Sequence, residues 1–328
     1  MEKRSFGNTG LRVSRLTFGC GAVGGLMTKG AAADQDRAIA WARDNGINFF
    51  DTAASYGNGT SEVNLGRALN GNTDGIVVST KVGLSNDDLS DIAGSITRSL
   101  DASLTRLKLD HVEIFQLHNT LGHSNSQGML NFKQVMDEVI PAFERLKKAG
   151  KVRFLGFTAK GDTDDLHKLV ECGSFNSAQI FYNLLVPSAG ETVPDNYPSD
   201  DFRKLINVAL DSGVGAIGVR VLAGGALSGN ENRHPLGMPS VAPIGSETDY
   251  STDVQRARQF IPLIEAGYAA SLPELAIRYV ISNPALPTTE IGIATLEELQ
   301  QAAAAVNKGP LSDDALAQIK KIQAAFVA

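Results

Sequence analysis

Short apolar, β-branched runs recur along the chain, separated by longer stretches in which apolar residues return every three or four positions. The runs lie at 16–19, 47–51, 76–81, 112–118, 152–158, 178–182, 215–221 and 290–294, and their length and content predict eight strands. Between them the spacing predicts amphipathic helices. Ile92, Ile96, Leu100, Leu104 and Leu107 share one helical face. Val135, Met136, Val139, Ile140, Phe143 and Leu146 share another, closed by Lys147, Lys148 and Gly150. A third helix is expected over 35–45, with Asp34 as its cap and Gly46 as its stop. Two more are expected at 273–283, with Pro273 in the tolerated first turn, and at 312–326. Ahead of them, 3–6 and 11–13 read as a hairpin around Gly7-Asn8-Thr9-Gly10.

Eight strand–helix alternations with no Pro/Gly/Ser linker between them predict the α/β class. The specific expectation is a single (β/α)8 TIM barrel over residues 1–328, with an N-terminal β-hairpin and extra C-terminal helices. Such barrels need roughly 250 residues, so the surplus is assigned to two decorations, 186–200 after the sixth strand and 228–253 after the seventh. A doubly wound sheet is the rival. It needs a Gly-x-Gly-x-x-Gly turn that opens a helix, and Gly19-Cys20-Gly21-Ala22-Val23-Gly24 leads into no clean helical pattern.

Composition narrows the function. With 43% hydrophobic and 20% charged residues the chain is expected to pack a core. A net charge of -6 argues against nucleic acid or an anionic membrane as partner, leaving small molecules. Only Cys20 and Cys172 are present, too few for a disulfide framework or a cysteine-rich metal site. His111 is expected to point outward, and His123, His167 and His234 lack ligand-like spacing, so no metal site is expected. Lys3 and Arg4 precede no apolar run, and no stretch reaches the roughly 18 apolar residues of a membrane span, so a cytoplasmic protein is expected. The 33 glycines, about one residue in ten against roughly 7% on average, call for a reason.

In a barrel of this kind the chemistry gathers at the C-terminal ends of the strands. Three consecutive runs end in Asp51-Thr52, Ser79-Thr80-Lys81 and Gln116-Leu117-His118-Asn119, and the first continues to Tyr56. Singly, each has a structural reading: Asp51 as a cap, Tyr56 as a surface aromatic, Lys81 as a snorkelling terminus, His118 as a satisfied core histidine. Together they suggest more. A lysine aimed into a barrel mouth is costly unless paired, and Asp51 on the neighbouring strand is its obvious partner. Lys81 beside Tyr56 would then ease ionisation of a phenol ordinarily near pKa ~10.

Phe50-Asp51-Thr52-Ala53-Ala54-Ser55-Tyr56-Gly57, Ser79-Thr80-Lys81 and Gln116-Leu117-His118 resemble, in order, the catalytic segments of the aldo-keto reductases. The resemblance covers nearly the whole chain. It implies reversible hydride transfer between NAD(P)(H) and a carbonyl or alcohol carbon, without a metal. Tyr56 would be the general acid/base, Lys81 would tune it, Asp51 would hold Lys81, and His118 would position the substrate. It also implies cofactor contacts from Gly21, Ala22, Val23 and Asp51. Thr158 and Gln179 would bind the carboxamide, with Ala159 standing where the family has Asn. Leu222, Gly224, Gly225, Leu227 and Gly229 match the loop that covers the pyrophosphate, where glycine lets backbone N–H groups approach phosphate, and Val219 and Arg220 stand at the strand end where the family meets the nicotinamide. Val219-Arg220-Val221 lacks the family's stacking aromatic.

Gly292, Ile293, Ala294, Thr295 and Glu298 match the adenosine-binding segment. It holds no basic residue and two carboxylates, Glu297 and Glu298, which favours NAD(H), with NADP(H) as the alternative. Asn119 stands where relatives carry an aromatic. This suggests a polar pocket and an aldose- or polyol-type substrate among aldehydes, ketones and sugars; a turn residue is the equal alternative. The 228–253 segment, with His234, Met238 and Tyr250, is a candidate lid. Gly46 and Gly150 read as helix stops, and Gly21, Gly57, Gly224, Gly225 and Gly292 as places where backbone lies close to a ligand. Two other functions fit the scaffold: a cofactor-binding regulatory subunit with little turnover, and a phosphate-handling barrel enzyme, which leaves Tyr56 and the Lys81–Asp51 pair without a role. An oligomer is compatible with all three.

Overall fold

The computed structural model describes residues 1–122, 128–243, 246 and 248–327. A hairpin of β1 (Lys3–Ser5) and β2 (Arg12–Ser14) comes first. The barrel strands are β3 (Leu16–Gly19), β4 (Phe49–Asp51), β5 (Val77–Val82), β6 (Val112–Leu117), β9 (Val152–Thr158), β10 (Ser177–Phe181), β11 (Gly215–Val219) and β12 (Thr288–Gly292). They close as an all-parallel ring in the order β10-β11-β12-β3-β4-β5-β6-β9. Two short strands, β7 (Thr120–Leu121) and β8 (Met129–Leu130), pair beside the mouth. The (β/α)8 expectation is met, and helices follow the barrel strands.

The hairpin plugs the N-terminal end of the barrel. Phe6 is fully buried, edge-on to Phe49 with ring centroids 5.8 Å apart. Glycine at 215 makes room for it, since a Cβ there would lie 2.7 Å from the Phe6 ring. That plug leaves the C-terminal rim as the open end.

Several boundaries differ from the expected ones for local reasons. The first long helix runs Ala32–Asp44, so Asp34 sits inside its first turn and pairs with Arg37 rather than capping it. The 135–148 pattern extends back to Phe132, where Asn131 and Gln134 form a capping box, and passes through a wider π turn at Val135–Val139. Pro141 follows that turn and has no N–H to return to it. Gly46 and Gly150 do terminate their helices at φ +78 and +76.

Two shifts matter for the mouth. β11 stops at Val219 rather than 221 because Arg220 turns into the left-handed region at φ +58. β12 begins at Thr288 rather than 290, because the hydroxyl of Thr288 is buried against Thr17 Oγ1 at 2.7 Å. Glu290 therefore lies inside the strand.

The helices pack closely where glycine permits. Gly66, in the helix Thr60–Leu69, faces the end of Ile92–Leu107, and a Cβ there would lie 2.4 Å from the Leu107 carbonyl oxygen. Gly66→Ala should therefore destabilise by about 1–3 kcal/mol despite alanine's better helix propensity. A urea midpoint at or above that of the parent would show that the helices are not held this tightly.

Candidate active site

Strand alternation aims one set of side chains into the mouth. Asp51 pairs in register with Gly19 on one side and Ser79 on the other; Lys81 pairs with Gln116, and Thr158 with Gln179. All of these polar side chains are buried. Asp51 Oδ1 accepts from Ser79 Oγ and from Gln116 Nε2 (3.0 Å), and its Oδ2 accepts from Lys81 Nζ. Lys81 spends its remaining protons on the Thr52 carbonyl (2.8 Å) and on Tyr56 Oη (3.3 Å). The structure thus brings together Asp51, Tyr56 and Lys81, and sets the His118 ring edge-on to Tyr56 with centroids 5.9 Å apart.

The electrostatics follow from dryness and neighbours. Burial would push the Lys81 ammonium down, but the Asp51 carboxylate in contact with it outweighs that and raises its pKa above the ordinary lysine range. Burial pushes the Tyr56 phenol up to about 12, against the opposing pull of Lys81. Lys81 eases ionisation of this phenol as expected, but desolvation is the larger effect, so the lysine limits the rise rather than reversing it. Burial, then the charges of Lys81 and Lys160, push His118 down to about 3, leaving a neutral imidazole.

The segments expected to hold a dinucleotide follow three adjacent strands, β11, β12 and β3. After β11 the backbone turns left-handed at Arg220, Ala223, Gly224 and Gly225. A Cβ at Gly224 would lie 2.8 Å from Arg220 Nη1, and one at Gly225 would lie 2.9 Å from Arg233 Nη1. Leu227 is buried beneath, and Gly229 ends the turn at φ +74. Gly21 lines the floor beside Tyr56, where a Cβ would sit 3.6 Å from the ring.

The candidate lid is docked onto the loop after β3. Arg233 donates to the carbonyls of Gly224 (2.5 Å), Met238 (2.6 Å) and Val23 (3.4 Å) and to Tyr250 Oη (3.0 Å). Gly25, at φ +93, lies directly beneath the Leu236 carbonyl. Ile244, Gly245 and Glu247 of this segment lie outside the described residues, as does His123.

After β12, Thr295 caps the helix Leu296–Asn307, and Glu298 Oε2 accepts from the Ala294 N–H at 2.6 Å. Ile293 and Ala294 are buried, and Gly292 is exposed. Across the mouth, Thr158 Oγ1 donates to Gln179 Oε1 (3.0 Å), and Gln179 Nε2 donates to Glu290 Oε2 (2.8 Å). Ala159 is buried and adds no side-chain polar group.

One expected residue is not brought into the pocket. Asn119 accepts from the Leu84 N–H (2.9 Å) and donates to the carbonyls of Leu84 (2.7 Å) and Gly128 (2.9 Å). Its amide is spent on bracing loops, which is the turn-residue alternative rather than the polar-pocket one. Sequence reasoning missed Glu290, Gln116 and Arg233. A carboxylate inside an apolar strand run was the available signal for the first; Arg233 had none.

The fold and the side chains at its rim define a (β/α)8 barrel with a buried, ionisable mouth, beside which the 228–253 segment ties the loop after β11 to the loop after β3. A model of the Aldo/keto reductase family matches residues 15–324, and the chain belongs to that family. The chain is 29% identical to the L-galactose dehydrogenase of Arabidopsis thaliana, covering 94% of this chain and 89% of the relative. It is 27% identical to the NADH-specific methylglyoxal reductase of Escherichia coli strain K12, covering 94% of each. Among solved structures it superposes on the aldo-keto reductase AKR11C1 from Bacillus halodurans in its holo form, with TM-score 0.72 and 23% identity over 98% of this chain and 96% of that one. The family is one of NAD(P)H-dependent oxidoreductases, and the coarse chemistry is set by membership.

Removing the buried cation exposes the cost of the pair. Lys81→Met leaves Asp51 without its counter-charge and should lower stability at pH 7 by roughly 3–5 kcal/mol. A loss under about 1 kcal/mol in urea unfolding, the value of an exposed pair, would contradict it.

Proposed function

We propose that the protein transfers a hydride reversibly between a nicotinamide cofactor and a carbonyl or alcohol carbon of a small molecule, with Tyr56 as general acid/base. The observation that carries this is the bond from Lys81 Nζ to Tyr56 Oη, made by an ammonium that Asp51 keeps charged. At neutral pH the phenol holds its proton and donates it to a carbonyl oxygen; in the reverse direction it must first lose it. Lys81, 3.3 Å away, stabilises negative charge as it develops on the phenolic oxygen. Neutral His118 offers the substrate oxygen a hydrogen bond without adding charge.

The cofactor, when bound, supplies or takes the hydride. Leu222, Gly224, Gly225, Leu227 and Gly229 would hold its pyrophosphate, and Gly21, Ala22, Val23, Val219 and Arg220 would add further contacts to the cofactor. A left-handed turn with two successive glycines, Gly224 and Gly225, beside the guanidiniums of Arg220 and Arg233 suits a phosphate. Thr158 and Gln179 would take the carboxamide without help from position 159. Gly292, Ile293, Ala294, Thr295 and Glu298 would meet the adenosine end. Two carboxylates and no basic residue there support NAD(H), and the likeness to an NADH-specific reductase agrees.

The substrate proposed is a small aldehyde, ketone or sugar, with the aldose/polyol type now supported by the likeness to an L-galactose dehydrogenase rather than by Asn119. The reading takes residues 1–328 as one barrel domain acting on a small solute in the cytoplasm. Among the described residues no helix is long and apolar enough to cross a membrane.

Tyr56→Phe should lower kcat/KM for carbonyl reduction by about 10²–10⁴-fold; undiminished activity would remove the mechanism. Retained NADH binding with no turnover across an aldehyde panel would favour the regulatory-subunit alternative. Because kcat/KM reports groups of the free enzyme, it should stay level from about pH 6 to pH 9, with His118 already neutral and Tyr56 still protonated throughout. A limb inside that window would break the assignment. NADH should be preferred over NADPH by about tenfold or more in kcat/KM; the opposite order would refute the cofactor reading.

A further inference from the structure

Glu290 has no part in the chemistry above, yet it stands in the same mouth. The β12 register sets it level with Thr17 and facing inward, as Thr288 does. One position further along β3 in the same inward row is Gly19, and the missing side chain leaves the space the carboxyl occupies: a Cβ there would lie 3.1 Å from Glu290 Oε1. The carboxyl meets Asp51 on one side. On the other it accepts from Gln179, which accepts from Thr158. Hydrogen bonds join Thr158 to Gln179 and Gln179 to Glu290, and Gly19, in register with Asp51, lets the Glu290 carboxyl lie beside the Asp51–Lys81–Tyr56 set.

The titratable groups facing Glu290 are Asp51 on β4, Lys81 on β5, Tyr56 in the loop after β4 and Cys20 just past β3. One ammonium thus faces two carboxyl groups, and Asp51 already holds it together with Ser79 and Gln116. Asp51 is buried and Glu290 half-buried, and two carboxyl groups this close do not both ionise cheaply. Burial first, and then the charge of Asp51, push the Glu290 carboxyl well above the usual carboxylate range.

We infer that Glu290 keeps its proton at neutral pH and acts as a positioning residue, bonding through that proton to Asp51 while accepting from Gln179. It thereby locks the amide side of the mouth and the Lys81–Asp51 pair into one arrangement. Its catalytic consequence rests on the reading of Tyr56 and Gln179 given above; its protonation does not.

The two parts are tested separately. A carboxyl whose pKa is raised on folding binds more protons in the native state, so it costs stability as pH climbs from the ordinary glutamate value toward the raised one. Glu290→Gln, which keeps a donor and an acceptor but cannot ionise, escapes this. Its Tm relative to the parent should rise by about 2 °C per pH unit from roughly pH 5 to neutral pH. A Tm difference that stays constant over that range would overturn the protonation. Glu290→Leu, which removes both bonds, should lower kcat at least about tenfold with a smaller change in KM, and Glu290→Gln should recover most of that loss. Equal kcat for the leucine variant and the parent would overturn the positioning role. An undiminished Tyr56→Phe alongside a pH-dependent Tm difference would reject the proposed chemistry and leave the protonation of Glu290 standing.

Discussion

A cation buried in the mouth of a parallel barrel has to be met by an anion within hydrogen-bond reach, and the arrangement around Lys81 follows from that demand. Neither side chain of the Lys81–Asp51 pair touches solvent. Parallel register answers the demand cheaply: Asp51 is level with Ser79, two residues before Lys81 on the same inward row. Ser79 and Gln116 then occupy the carboxylate oxygen that Lys81 leaves free. With the ammonium so held, its contact with Tyr56 is a fixed property of the scaffold rather than one rotamer among several. A second carboxyl in the same space, Glu290, has no second cation to meet.

Much of this was legible in the chain, for physical reasons that differ by element. Barrel strands buried on both faces read as nearly continuous apolar runs, so eight were visible and their order followed. Asp51, Lys81 and His118 were visible because a charged or polar residue at the end of such a run has few structural excuses. The ends of elements were less visible. Nothing in Val219-Arg220-Val221 announces the left-handed turn at Arg220, which reflects packing of the loop beyond it. The eighth run was placed at 290–294, because the apolar pattern gives no sign of Thr288, whose hydroxyl meets Thr17 on the neighbouring strand β3 and starts the strand two residues earlier. Asn119 read as a pocket residue because its position is right; only its three backbone partners show that its amide is already committed.

The glycine-rich turn after β11 shows how strain and packing share the work. Arg220 and Ala223 are non-glycine residues at positive φ, a conformation that costs roughly 1–2 kcal/mol each. Such a turn persists only where its surroundings over-determine it. Here they do: Arg233 reaches from the lid to the Gly224 carbonyl and to Tyr250, and then to Val23. The 228–253 segment is therefore part of what shapes the turn, and it ties the turn to the loop after β3.

Burial acts on the ionisable groups of the mouth in opposite senses, and the presence or absence of a counter-charge decides which. Lys81 has Asp51 in contact and stays charged; His118 has only cations for charged neighbours, Lys81 and Lys160, and stays neutral. Tyr56 lies between, pushed up by dryness and pulled back by Lys81. The phenol and the imidazole are thus two neutral polar groups set beside a single cation. The same low-polarity surroundings that keep the histidine neutral also strengthen the field of the lysine at the phenol.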